Sequence, residues 1–139
     1  MLTNKYPRVG IGVIIRKDNK ILLGKRKNSH GEGSWCFTGG HLEFNESWEK
    51  CSEREIAEEI GIKVENIHFS GAVTNDFFET EKKHYITIFM VCDYMSGEVK
   101  VLEPEKSECW KWFTWDSLPE PLFLPVKNLQ KTGFNPFEK

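Results

Sequence analysis

Apolar and polar positions along the chain predict a set of β-strands. Residues 9–16, 67–75 and 84–93 are rich in β-branched and aromatic side chains, and each predicts a strand. The polar run 17–20 predicts a turn, and residues 21–24 predict the strand that returns from it. The first part of the chain therefore begins with a predicted hairpin.

Shorter elements are predicted around and after these strands. Residues 30–34, with the sequence HGEGS, predict a flexible loop. Residues 96–98 predict a turn before residues 99–102, and residues 109–114 predict a short strand. Residues 123–131 predict a last helix, which two prolines precede or open.

One strong helix is predicted in mid-chain, over residues 46–60. Asn45 is a suitable N-cap, and Gly61 can end the helix in a left-handed conformation. The apolar side chains at helical spacing, which we expect to face the core, are Trp48, Ile56 and Ile60. Strands dominate around this helix and the last one. The pattern predicts an α+β fold with a mixed central sheet flanked by helices, in a single domain over residues 1–139.

Composition and charge narrow the class of protein. The chain has 139 residues, of which 39% are hydrophobic and 29% charged, with a net charge of −2. These values are typical of a soluble globular protein, and they argue against a broad surface for a nucleic-acid polymer or an acidic membrane. Residues 1–8 lack the apolar stretch of a signal peptide, and no apolar run is long enough to span a membrane. We therefore expect a cytoplasmic protein.

The cysteines do not form a recognisable metal or redox motif. They stand at scattered positions, without a Cys-x-x-Cys pair: Cys36, Cys51, Cys92 and Cys109. Reduced, mostly buried thiols are the favoured interpretation. A zinc site or a disulfide remains the alternative.

Three glutamates on the central helix are the first chemical signal. Glu55, Glu58 and Glu59 are separated by three and four positions, so a helix brings their carboxylates to one edge. Like charges held together disfavour ionisation until a cation is present, and Mg²⁺ prefers oxygen ligands. The cluster alone is also compatible with an ordinary solvated helix face, so its surroundings decide the interpretation.

The surrounding residues match a known pattern. Gly40 is followed by five residues, Glu46, seven residues and then REIAEEIGI over residues 54–62. This spacing resembles the full motif of the Nudix hydrolases, and every defining position is filled. Many members of that family have Pro before the double glycine, whereas this chain has Thr38. The resemblance implies the Nudix α/β/α sandwich.

The resemblance also implies roles for the motif residues. Glu55, Glu58 and Glu59, together with Gly40, would hold Mg²⁺, with Mn²⁺ as an alternative ion. Glu55 is the favoured general base, although members of the family differ in this assignment. Arg54 and Glu46 are expected to orient the glutamates, or else to form a surface salt bridge. Glu103 or Glu105 could add a ligand from outside the motif.

Similarity beyond the motif, carried among others by residues 22–27, 84–90 and 110–119, extends to the MutT-like branch, and in particular it resembles the nucleotide triphosphate diphosphatases that act on thiopurine and other purine nucleotides. It implies a homodimer and the conversion of a nucleoside triphosphate to the monophosphate and pyrophosphate. The residues expected to contact the nucleotide are Lys25, Arg26, Gly39, Thr74, Phe78 and His84. For each of them an ordinary structural role is the alternative.

Two other functions remain open. One is the hydrolysis of ADP-ribose or another diphosphate-linked nucleotide, although relatives with that activity often carry a Pro after the motif and residues 63–103 contain none. The other is a non-catalytic domain that senses a nucleotide. Such domains usually have an incomplete motif, and this motif is complete.

Overall fold

The computed structural model describes residues 5–138. The elements in chain order are β1 (Arg8–Lys17), β2 (Lys20–Arg26), β3 (Trp35–Cys36), β4 (Thr38–His41), α1 (Trp48–Glu59), β5 (Lys63–Phe78), β6 (Lys83–Ser96), β7 (Ser107–Phe113) and α2 (Leu124–Lys131). Residues 1–4, half of the stretch judged for a signal peptide, lie outside the described residues. The single domain over 1–139 stays a prediction.

The seven strands form one sheet in the order β3-β2-β1-β6-β5, with β7 paired to β2 and β4 paired to β1. β1 runs parallel to β6 and antiparallel to β2 and β4, so the predicted mixed sheet is confirmed. β2 pairs with β1 only next to the hairpin turn, and β4 takes the place beside residues 10–13. β4 is therefore inserted beside the first half of the central strand.

The sheet is covered by one helix on each face. Side chains alternate along β1, so that Ile11, Val13 and Ile15 join one buried cluster and Ile14 joins the other. The first cluster includes Ile56 of α1, and the second includes Leu129 of α2. This arrangement confirms the predicted sandwich. No helix within residues 5–138 has the length and apolar character needed to cross a membrane.

The ends of α1 differ in part from the prediction. The helix begins at Trp48, and its N-cap is Ser47, whose side chain accepts a hydrogen bond from the Lys50 amide. Asn45 is not the cap because it lies in a left-handed turn with φ 65°. Gly61 ends the helix as predicted, with φ 69° and its amide donating to the Ile56 carbonyl.

Two other features depart from expectation. Trp48 is 36% exposed and packs edge-to-face on Phe69 at 5.2 Å, so the expectation that it faces the core was wrong. Residues 99–102 run beside the end of α1, where the amides of Lys100 and Leu102 donate to the carbonyls of Ile60 and Glu59. The short strands β3 and β4 were not predicted.

All four cysteines are free thiols, and two of them, Cys51 and Cys92, are buried.

Ile56→Ala should destabilise the protein by about 2–5 kcal/mol, because Ile56 is 2% exposed at the contact between α1 and the sheet. Glu53→Ala on the solvent side of the same helix should change the free energy of unfolding by less than about 0.5 kcal/mol. Urea unfolding of both variants tests the packing. Equal stability of the two variants would contradict it.

Candidate active site

Arg54 holds three carboxylates of the motif by several hydrogen bonds. Its Nε and Nη2 donate to the two oxygens of Glu46 at 2.7 and 3.0 Å. Its Nη1 donates to Glu55 at 2.9 Å and, at a longer 3.4 Å, to Glu58. A two-pronged contact to one carboxylate fixes the guanidinium plane. Arg54 is thereby fixed beside the carboxylates of α1.

Glu46 anchors this arrangement in its ionised form. Hydrogen bonds from Arg54 lower the pKa of Glu46 to about 2. The same carboxylate accepts the backbone amide of Glu43, which ties it to the turn before α1. The structure thus brings together Glu46 and Arg54, the pair that the sequence assigned to orienting the site.

Glu59 points from α1 to the start of β4. Its Oε1 accepts hydrogen bonds from the Thr38 hydroxyl and, at 2.8 Å, from the Gly39 amide. Burial raises the pKa of Glu59 to about 7, although these two hydrogen bonds act in the opposite direction. Thr38 therefore contributes a side-chain donor to Glu59 that a proline at this position would lack.

Gly40 leaves room for the carboxylate of Glu55. A Cβ on Gly40 would lie 2.5 Å from Glu55 Oε1, so any larger residue would require that side chain to move. Gly39 is more constrained, because it has φ 151° and a Cβ there would lie 1.9 Å from the Ile11 carbonyl oxygen. Glycine is therefore needed at both positions, because Ile11 of β1 and Glu55 of α1 lie so close to the β4 backbone.

The chemistry of these groups fits a hard divalent cation. Burial raises the pKa of Glu55, and Glu58 and Glu103 add negative charge around it. Glu58 is 48% exposed, so this edge is open to solvent. Among residues 5–138, no three His, Cys, Asp or Glu side chains are already gathered at metal-binding distances. In this conformation, Arg54 and Thr38 satisfy the carboxylates instead.

A pocket of about 140 Å³ opens on the other side of β4. Its floor is formed by Gly10 and Gly12 of β1 and by Thr87 and Phe89 of β6, which pair in register. Glycine inside a strand often marks a place where a ligand approaches the backbone. Gly39 and Gly40 line the pocket as well, so β4 separates it from the carboxylates.

Aromatic rings form the walls of this pocket. His41, Tyr85 and His30 stand nearly parallel, with centroid distances of 5.6 and 6.1 Å between neighbours. Phe78 and Phe123 pack edge-on against His30. Burial, helped by the charge of Arg26, lowers the pKa of His30 to about 4, so this ring is neutral near pH 7. The walls offer ring faces on which a planar heterocycle can stack.

The structure separates the residues expected to contact the nucleotide into two groups. Arg26, Gly39 and Phe78 line the pocket. Lys25, Thr74 and His84 are not among its lining residues, and they contact Glu108, Asp76 and Asn75 respectively. A role in substrate binding stays a prediction for all six.

Sequence reasoning missed several pocket residues, namely His30, His41, Tyr85, Thr87 and Phe123. They come from four separate segments that only the fold brings together. One signal was present in the sequence, since Gly10 and Gly12 alternate within an otherwise β-branched strand.

Comparison with known proteins identifies the family. The model of the NUDIX domain matches residues 6–131, which is most of the chain. The chain belongs to the NUDIX family. Its predicted hydrolase class, acting on phosphorus-containing anhydrides, is thereby confirmed.

Two curated relatives show how this Nudix chain compares with whole proteins. It is 34% identical over 118 residues to an ADP-ribose pyrophosphatase of Methanocaldococcus jannaschii, covering 85% of this chain and 68% of that protein. It is 35% identical over 119 residues to the NAD-capped RNA hydrolase NudC of Vibrio vulnificus, covering 84% of this chain. The chain spans only 43% of the length of that second relative.

A solved structure agrees with the fold over nearly its full length. The MutT NUDIX hydrolase from Burkholderia pseudomallei superposes with a TM-score of 0.82 at 35% identity, covering 91% of this chain and 98% of that one. This neighbour confirms the MutT-like resemblance. It does not identify the branch of the family.

Gly40→Ala should impair hydrolysis by this Nudix domain more than it impairs folding. The added methyl group displaces the Glu55 carboxylate, which is the flexible end of a side chain, and a shift of about 1 Å can cost about 100-fold in rate. Steady-state kinetics with Mg²⁺ measure kcat, and thermal unfolding measures stability. An unchanged kcat would show that Glu55 does not need this position.

Proposed function

We propose that this Nudix domain is a divalent-metal-dependent pyrophosphatase of nucleoside diphosphates linked to a second group, with ADP-ribose as the reference substrate. One geometric observation carries the proposal. The double glycine of β4 has the carboxylates of α1 on one side and an aromatic pocket on the other. A diphosphate attached to a base can lie along such a boundary.

Glu55, Glu58 and Glu59 are the proposed metal ligands, with Gly40 allowing close approach, and Mg²⁺ or Mn²⁺ is the proposed ion. When bound, the metal neutralises phosphate charge and lowers the pKa of an attacking water. Water forms a bond to one phosphorus while the bridging P–O bond breaks and the other phosphate leaves. Glu55 is the favoured acceptor of the water's proton, since it is the carboxylate packed against Gly40.

In this proposal Arg54 and Glu46 do not react with the substrate but hold the Glu55 carboxylate in place. Arg54 holds the Glu55 carboxylate at 2.9 Å, and its contact with Glu46 keeps the guanidinium from rotating. The Glu59 carboxylate is oriented by Thr38 and Gly39. The protein thus fixes the direction of the carboxylates before the substrate binds.

The pocket is proposed to hold the base of the nucleotide. A cavity of about 150 Å³ can accept one benzene ring, so a volume of 140 Å³ suits one small ring system and not both halves of the substrate. Phe78 contributes a ring face, and Arg26 is fixed beside the pocket by its bond to the His30 carbonyl at 2.9 Å. The second half of the substrate would then extend outside.

The choice between substrates is supported by the relatives. Their names specify ADP-ribose and the NAD cap of RNA, which are both diphosphate-linked nucleotides. This favours such substrates over the nucleoside triphosphates expected from the sequence. The NudC relative also makes an RNA 5′ end a substrate to include. The homodimer and the cytoplasmic location stay predictions.

Glu58→Gln should lower kcat for ADP-ribose by at least about 100-fold with Mg²⁺ and leave the fold intact, because the side chain is 48% exposed and loses only its charge. Glu53→Gln is the matched control, since Glu53 lies on the same helix and, within residues 5–138, forms its one ion pair with the exposed Lys50. Full activity of Glu58→Gln would contradict the metal site.

A product assay should show AMP and ribose 5-phosphate from ADP-ribose, in a reaction that EDTA abolishes. The panel includes nucleoside triphosphates, NADH, NAD-capped RNA and diadenosine tetraphosphate. If kcat/KM is at least tenfold higher for a nucleoside triphosphate than for ADP-ribose, with release of pyrophosphate, the substrate is the triphosphate expected from the sequence. No turnover of any compound with Mg²⁺ or Mn²⁺ would overturn the proposed function.

A further inference from the structure

A buried carboxylate beneath the pocket is not explained by the proposed chemistry. Asp76 of β5 is fully buried, and its Oδ2 accepts hydrogen bonds from Thr74 at 3.1 Å and Thr87 at 2.6 Å. Its Oδ1 accepts from the side-chain amide of Asn128 on α2 at 2.9 Å. Each of these three partners donates to the carboxylate, which satisfies it inside the core.

The contact with Asp76 determines what Thr87 can offer to a ligand. A hydroxyl group has one proton and two acceptor lone pairs. The Thr87 proton points to Asp76, so the oxygen that lines the pocket floor presents only acceptor capacity. The hydrogen bond of 2.6 Å to Asp76 holds the hydroxyl in this orientation.

Open space lies directly beside this hydroxyl. A Cβ on Gly10 would lie 3.9 Å from Thr87 Oγ1, 3.9 Å from the Gly40 carbonyl oxygen and 4.0 Å from the Tyr85 ring. Two oxygen atoms and one ring carbon of Tyr85 therefore surround a position that Gly10 leaves empty. An N–H donor placed there complements the free acceptor capacity of the Thr87 hydroxyl, whereas a ring with acceptors alone would offer that oxygen no donor.

We propose that Thr87, oriented by Asp76, determines base specificity by accepting an N–H from the ring in the pocket, in the space that Gly10 leaves free. The inference rests on the proposed function, because it concerns the base of the same substrate. It predicts selection for bases that carry an amino or ring N–H group. Asp76 is a positioning residue that acts through Thr87.

Binding without metal tests the inference apart from hydrolysis. Isothermal titration calorimetry compares AMP with purine riboside 5′-monophosphate, which has the same ring system without the amino group. Wild-type protein should bind AMP about tenfold more tightly, the ratio that one ordinary net hydrogen bond provides. Equal affinity for the two compounds, or no measurable binding of AMP, would overturn the proposal.

Variants at the pocket floor assign the preference to Thr87. Thr87→Val keeps the shape and removes the acceptor, so the two compounds should bind with similar affinity. Thr87→Ser keeps the hydroxyl and should keep the preference. A tenfold preference that persists in Thr87→Val would overturn the proposal, and thermal unfolding checks that each variant is folded.

Gly10→Ala provides a second test that does not disturb Asp76. The added methyl group meets no atom closer than 3.9 Å, so the fold should tolerate it while the space beside Thr87 is lost. We expect AMP affinity to fall about tenfold or more. Unchanged affinity would place the base elsewhere and overturn the inference.

Turnover of ADP-ribose together with equal binding of the two monophosphates would overturn only the role of Thr87. Absence of turnover with the binding preference intact would overturn only the proposed function.

Discussion

The site depends on one constraint, which is the absence of side chains along the middle of β4. Gly39 lies where a Cβ would collide with the Ile11 carbonyl, and Gly40 lies where it would collide with the Glu55 carboxylate. Because neither residue has a side chain, β1 can pair closely with β4 and the Glu55 carboxylate of α1 can pack against it. The carboxylates and the pocket are thus separated by little more than one backbone.

This close approach has an electrostatic consequence. Glu55 and Glu59 are brought into a partly dehydrated region, where burial raises the pKa of both. The structure compensates with Arg54 on one side and with Thr38 and the Gly39 amide on the other. A carboxylate cluster that retains unfavourable charge repulsion is suited to a cation, since the ion removes the cost of ionising neighbouring groups.

The helix and its glutamates could be predicted because spacing along a helix determines which side chains share an edge. The start of that helix could not, since Asn45 and Ser47 are both good caps and only the left-handed turn at Asn45 decides between them. β3 and β4 are too short, and β4 too rich in glycine, to show strand periodicity. The pocket escaped prediction for a different reason, since His30, Tyr85 and Phe123 meet only through the tertiary fold.

The same geometry explains why the sequence predicts the family of this chain more readily than it predicts the substrate. The groups proposed for chemistry belong to α1 and the adjoining turn, which form one continuous stretch of sequence. The groups that line the pocket come from separate segments, among them β1, the loop after β2, β6 and the segment before α2. A change in any of these segments alters the pocket without affecting Glu55 or Arg54. Substrate preference can therefore differ between proteins with the same motif, and in our proposal it depends on residues such as Thr87 that line the pocket on the other side of β4.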